Sequence, residues 1–307
     1  MARIPPNPVC VLRGHSSAIS SLDYDEDNNC LVSGTQNGTI IIWNTATRSI
    51  TSHKEYSNSG GILQIRFLST NSFFTHCREG IIRVIDIDKG FSEPILSVSC
   101  ASLSFLKATV AHDSRNTILF VPGKDDSIDF VDLREGKSNH LLPKQLSKGM
   151  VMACEGHINS YCLGAFESGH IARIDSRNNS IIEETRISSE PLIAFTTNEE
   201  FTTYACGGIS NKITIGNCSS LAENSCISLP TSGILSLAIR CDSRLLASGG
   251  KDGKIRLFGL RNNQPLAILS NHTKEVNTIM FSKRKSIVSG SSDMNIMLWD
   301  IYKNGNR

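Results

Sequence analysis

Short runs of β-branched and aliphatic residues, cut at even intervals by Gly, Asn and Asp, fill the chain from end to end. The pattern is plainest in residues 232–261. Ile234-Leu-Ser-Leu-Ala-Ile239 reads as a strand, Cys241-Asp-Ser-Arg244 as a turn and Leu245-Leu-Ala-Ser248 as a second strand. Gly249-Gly-Lys-Asp-Gly253 reads as a tight turn and Lys254-Ile-Arg-Leu-Phe258 as a third strand. β-rich runs bounded by turn formers are the mark of an all-β chain. The runs are apolar rather than strictly alternating, which predicts strands covered on one or both faces. No long segment carries a 3.6-residue amphipathic period, so helices are not expected.

The unit recurs. Asn37-Gly-Thr-Ile-Ile-Ile-Trp43 and Asp293-Met-Asn-Ile-Met-Leu-Trp299 share a turn, a β-rich run and a Trp at one offset, and Asp252-Gly-Lys-Ile-Arg-Leu-Phe258 repeats the device with Phe. Weaker copies end at Ile85, Val131, Ile174 and Gly216. The anchors at 43, 85, 131, 174, 216, 258 and 299 are 41 to 46 residues apart, the length of one four-stranded propeller blade. Seven blades use up residues 1–307 as a single domain. The prediction is an all-β, seven-bladed β-propeller.

The repeats resemble WD40 repeats, whose signature is a Gly-His before the first strand and a Trp-Asp closing the third. Repeat seven has His272, Ser289, Asp293 and Trp299; repeat one has Gly14-His15, Ser33 and Trp43, with Asn37 where Asp is usual. Repeat six keeps Ser248 and Asp252 without the His, and the middle repeats have lost nearly all of the signature. In WD40 rings the repeat is out of phase with the blade, so the resemblance implies that the last outer strand comes from the N-terminus. Val9-Cys-Val-Leu12 is expected to pair with Ile296-Met-Leu-Trp299 and remove a free edge. Pro5, Pro6 and Pro8 would mark where pairing begins, since Pro cannot donate to a ladder.

Composition narrows the function. Lys and Arg number 31 against 29 Asp and Glu, a formal +2 that is too balanced for a dedicated nucleic-acid or membrane-surface binder. No apolar run is long enough for a transmembrane helix. The Met1-Ala-Arg-Ile-Pro-Pro start has no signal-peptide character, so a nuclear or cytoplasmic, non-secreted protein is expected. Ten scattered cysteines include no Cys-x-x-Cys pair, which favours free buried thiols over disulfides or zinc.

Candidate chemistry is sparse. His272, Ser289 and Asp293 contain the residue types of a hydrolase triad, but they fall on blade-signature positions, where a buried Asp–His–Ser–Trp chain locks a loop to a strand. Gly249-Gly-Lys-Asp-Gly-Lys254 lacks the spacing and the Ser/Thr of a phosphate loop and leads into a strand, so it reads as a hairpin turn. Eight His residues show no metal spacing. No enzyme, cofactor or metal site is expected. Lys283-Arg-Lys285, the one dense basic run, reads as a solvated loop. The turns between second and third strands line one face of the ring and carry Arg78, Glu79, Lys124, Asp125 and Lys251, with Lys274 and Glu275 on a neighbouring loop. These seven residues are the candidate partner-binding face.

Beyond the repeats, the chain resembles the G-protein β-subunit-like protein 1 group, whose fungal members are called ASTRA-associated protein 1. The resemblance is carried by Pro5-Pro-Asn-Pro-Val-Cys-Val-Leu-Arg-Gly14, Val121-Pro-Gly123, Leu246-Ala-Ser-Gly-Gly-Lys-Asp-Gly-Lys-Ile-Arg-Leu-Phe258, Gln264-Pro-Leu-Ala-Ile-Leu269 and Gly290-Ser-Ser-Asp-Met-Asn-Ile-Met-Leu-Trp-Asp-Ile-Tyr302. It implies a non-catalytic protein-interaction scaffold. That scaffold would work with the co-chaperone machinery that matures and stabilises PI3-kinase-related kinases, within the ASTRA complex and with a link to chromatin remodelling. True G-protein β subunits have a long N-terminal helix for the γ subunit; so few residues precede Val9 here that no γ partner is expected. The alternative is a substrate receptor of a cullin-4-type ubiquitin ligase, suggested by the Trp-Asp-x-Arg-like endings at Arg134, Arg177 and Arg261.

Overall fold

The computed structural model describes residues 6–56, 60–89, 91, 93–100, 108–112, 117–123, 127–133, 137–141, 148–157, 161–175, 178 and 180–301. Among these residues the strands form seven four-stranded antiparallel sheets, and no helix occurs. All seven sequence anchors fall in third strands: Thr39–Asn44, Ile81–Asp86, Ile128–Asp132, His170–Asp175, Lys212–Asn217, Ile255–Gly259 and Asn295–Trp299. The first strands, such as Ile19–Asp25 in blade one and Val276–Phe281 in blade seven, lie innermost and line a central channel. In blade six the second strand runs Leu245–Gly250, past Ser248, because Gly249 and Gly250 stay in the ladder opposite Ser236 and Ile234. The turn is correspondingly shorter.

There is no single core. Each of seven apolar clusters fills the seam between two adjacent blades. Second strands are buried on both faces: all five residues of Ile287–Ser291 are closed from solvent, as are five of the six in Cys30–Thr35. Fourth strands, at the rim, alternate instead, as in Ser180–Arg186. This gradient explains why the inner and middle strands read as continuous apolar runs.

A glycine sets how closely blades approach. The residue after the signature Ser is Gly34, Gly249 or Gly290 in blades one, six and seven, and Gly207 holds the same place in blade five. A Cβ on Gly34 would lie 2.6 Å from Ile62, and one on Gly207 would lie 2.9 Å from Ile234. A Cβ on Gly249 would crowd Ser236 Oγ of its own blade and lie 2.8 Å from Val276, and one on Gly290 would lie 2.6 Å from Ile19. All four glycines thus meet the first residue of the next blade's first strand. A bare backbone here lets an Ile or Val seat into the seam at interior packing density.

The ring closes through the N-terminus. Cys10–Arg13 is the outer strand of blade seven and pairs antiparallel with Asn295–Trp299, with Cys10 opposite Leu298 and Leu12 opposite Ile296. Leu12 is buried among Leu31, Ile41, Trp43 and Ile296. The first and last repeats are thereby joined by both a ladder and a seam. Pro6 and Pro8 lie just outside the ladder; Pro5 is outside the described residues.

Candidate functional site

In blade seven a relay of hydrogen bonds crosses the sheet. The Trp299 indole N–H donates to Ser289 Oγ at 3.0 Å, and Ser289 Oγ lies 2.8 Å from His272 Nε2. His272 Nδ1 lies 2.9 Å from Asp293 Oδ2, which also accepts the Thr273 amide at 3.0 Å. Burial lowers the His272 pKa although Asp293 works in the opposite sense. A neutral imidazole then donates from Nδ1 to the carboxylate and accepts the Ser289 hydroxyl at Nε2. Burial also raises the Asp293 pKa, but hydrogen bonds from His272, Thr273 and Asn295 outweigh it and leave the carboxyl below its ordinary value. Ser289 and Trp299 are fully closed from solvent. The group ties the loop before the first strand to the third strand and presents no nucleophile.

The other blades use variants. In blade one, His15 Nε2 lies 2.6 Å from Ser33 Oγ, which accepts the Trp43 N–H at 2.7 Å. Asn37 turns away: its Oδ1 accepts the Thr35 hydroxyl at 2.6 Å. His15 Nδ1 is buried with no hydrogen-bond partner among the described residues, and desolvation drops the His15 pKa to about 4. Blades two and six lack the His and pair the signature acid with an Arg of the third strand instead. Arg83 Nη2 meets Glu79 at 2.6 Å, and Arg256 Nη2 meets Asp252 at 2.6 Å, with Thr231 adding a 3.0 Å bond to Asp252. The acid stands six residues before the anchor and the Arg two before it, a spacing that was readable in the sequence and was missed.

The structure divides the candidate partner-binding face into separate groups. Arg78 and Glu79 belong to blade two, where the Arg78 amide donates to Gly61. Lys251 is exposed on blade six, and Lys274 and Glu275 follow on the loop into blade seven. The carbonyl of Lys274 packs close against Gly253, so Lys251 and Lys274 sit on adjoining turns. Blade two is three ring positions away from blade six, so these groups share a face without forming one cluster. Lys124 and Asp125 lie outside the described residues.

Two features were not anticipated. The channel encloses about 690 Å³ and is lined by Asp23, Arg66, Thr109 and Glu155 among others. Burial raises the Asp23 pKa, with Arg66 opposing, and Thr109 donates to Glu155 at 3.0 Å. On the face opposite the candidate residues, the basic run is fastened across blades: Lys283 Nζ meets Asp27 at 3.0 Å and the Arg284 amide donates to Glu26 at 2.7 Å. Among the described residues no group of three or more His, Cys, Asp or Glu is placed to hold a metal ion. No helix there is long and apolar enough to cross a membrane. Of the three Trp-Asp-x-Arg-like endings, Arg134 and Arg177 lie outside the described residues, and Arg261 is exposed after Gly259-Leu260.

Comparison with known proteins agrees with this architecture. The family model described as "WD domain, G-beta repeat" matches residues 6–44, 224–258 and 263–300. The mouse "Guanine nucleotide-binding protein subunit beta-like protein 1" is 26% identical, with 97% of each chain covered. The "ASTRA-associated protein 1" of Schizosaccharomyces japonicus is 24% identical over 97% of this chain and 100% of its own. Among solved structures, the Myceliophteria thermophila Cps50 (Swd1) beta-propeller domain superposes with a TM-score of 0.81 at 15% identity, covering 97% of this chain and 100% of that one. That likeness is one of fold.

Proposed function

We propose, from the premise that the chain is a WD40-repeat propeller related along nearly its whole length to G-protein β-subunit-like protein 1 and the ASTRA-associated proteins, that it is a non-catalytic scaffold. In this reading it acts with co-chaperones in the maturation and stabilisation of PI3-kinase-related kinases, within an ASTRA-type assembly linked to chromatin remodelling. In this reading it works in the nucleus, the cytoplasm or both. The observation that carries the reading is similarity over 97% of both this chain and the mouse relative, so the likeness takes in the propeller as a whole. The ring is physically suited to a scaffold role. Seven packed seams hold its loops in place, and loops on a rigid support bind partners without large rearrangement. The signature His, Ser and Asp are engaged in holding the blade, which supports binding rather than catalysis as the ring's role.

Affinity purification of the tagged full-length protein from its own cells, followed by mass spectrometry, tests this. Recovery of the large kinases together with their co-chaperones supports the scaffold. Recovery of a cullin and its adaptor without those kinases favours the ubiquitin-ligase alternative, and alanine at Arg134, Arg177 and Arg261 should then abolish adaptor binding.

A further inference from the structure

The face that carries the turns between first and second strands is electrically uneven. Blade five exposes Glu199 and Glu200 there, and blade one exposes Asp27. Between them, blades six and seven expose cations: Arg244, Arg261, Lys283, Arg284 and Lys285. These lie on adjoining loops. The Leu260 amide donates to the Arg244 carbonyl at 2.9 Å, which sets Arg261 beside Arg244, and Lys285 Nζ lies 3.6 Å from Asp242, two residues before Arg244.

The cations are not equally engaged. Lys283 and the Arg284 backbone are tied to Asp27 and Glu26 of blade one, which fixes the loop. Asp242 is also gripped by Arg240 through two 2.8 Å bonds, so one carboxylate faces two cations and the group keeps a net positive charge. The guanidinium groups of Arg244 and Arg261 make no hydrogen bond or ion pair among the described residues, and both residues are exposed. The result is a short, pre-positioned row of three exposed cations, Arg244, Arg261 and Lys285, the last also facing Asp242, bounded by carboxylates on either side.

We infer that this row is the docking surface for an acidic peptide segment of a partner protein. Arg forks bind carboxylates in a bidentate way, and a short acidic segment matches both the sign and the length of the row. A nucleic acid fits less well. Its phosphates continue at close, even spacing, so a strand crossing the row would run onto Glu199 and Glu200 or Asp27. Among the described residues these loops expose no aromatic ring for base stacking. This inference rests on the scaffold reading and names the chemistry of one partner.

The test uses the purified full chain, a fluorescein-labelled oligo-glutamate peptide and fluorescence polarisation. Binding should weaken as salt is raised. The triple variant R244E/R261E/K285E should bind at least about tenfold more weakly with an unchanged melting curve, since all three side chains are exposed. If that variant misfolds, the milder pair R261A/K285A should still weaken binding. Failure of the peptide to bind, equal affinity of the folded variants, or tighter binding of a labelled oligothymidylate would each overturn the inference. Purification from the protein's own cells separates the two readings. Wild type and triple variant retaining the same co-chaperones would remove this surface and leave the scaffold standing, whereas wild type retaining none would remove the scaffold itself.

Discussion

Gly290 of blade seven and Ile19 of blade one meet so closely that a Cβ on the glycine would lie 2.6 Å from the isoleucine Cγ2. The contact sits at the ring's closing seam, where the last repeat meets the first. It links a local choice of residue to global closure.

Gly290→Ala should therefore destabilise the protein by about 1–3 kcal/mol, the usual cost of overpacking a tight interior. Blade four is the internal control. Ala165 occupies the same position there, fully buried, so the seam tolerates a methyl where its neighbour is built for it. Chemical denaturation of both Gly290→Ala and Ala165→Gly checks this. Equal stability of Gly290→Ala and wild type would contradict it.

Removing residues 1–13 deletes the outer strand of blade seven, strips the cover from Ile296 and Leu298, and leaves the Asn295–Trp299 strand as a raw edge. The loss of buried Leu12 and Cys10 alone is worth on the order of 3–5 kcal/mol. For a chain of this size that lowers Tm by at least roughly 5 °C. The exposed edge should also produce oligomers on size exclusion. A truncated protein with the full-length Tm and a single monomer peak would refute closure by the N-terminal strand.

Ser289→Ala leaves the Trp299 N–H and His272 Nε2 without a shared partner inside the blade, at about 1–3 kcal/mol for each orphaned group. Asn37→Ala should cost less, because Asn37 never reaches His15 and serves only its own turn. Urea midpoints of the two variants should rank in that order.

His15 gives stability a pH dependence. Its folded pKa of about 4 is below the ordinary imidazole value of 6.5, so between these the unfolded chain binds a proton that the folded one does not. Stability from neutral His15 is complete above pH 6.5, is lost as pH falls toward 4, and amounts to about 3 kcal/mol at most. His272 is shifted in the same direction, so His15→Gln should reduce the slope of Tm against pH without abolishing it. An unchanged slope would rule out His15 as a source.

Of the ten cysteines, only Cys226 and Cys241 are exposed. Under native conditions a maleimide should label these two quickly. Cys162, whose pKa burial pushes up to about 12, should react only on unfolding. Mass spectrometry of a timed labelling series decides.

Much of this was legible in the sequence, and the physical reason is repetition. Trp43 and Trp299 are bulky, buried and placed at one offset from a turn, so they marked third strands even where the middle blades offered only Ile85 or Gly216. The glycine after Ser33, Ser248 and Ser289 was visible too, but only the structure shows that it receives the next blade's Ile or Val. The partner surface was less legible. Arg78 and Lys251 share a face by topology, yet ring position separates them, and a linear chain does not display ring position. The cross-blade pairs of Lys283 with Asp27 and Lys285 with Asp242 join turns far apart in the chain, so the basic run read as mere solvated charge.

The proposed role of this ring in sustaining PI3-kinase-related kinases is tested most directly by the lifetime of newly made kinase after depletion of the protein from its own cells, followed by pulse-chase. The kinases should be synthesised at the normal rate and then decay faster, with the lifetime restored by the wild-type chain. Unchanged kinase lifetimes in fully depleted cells would contradict it.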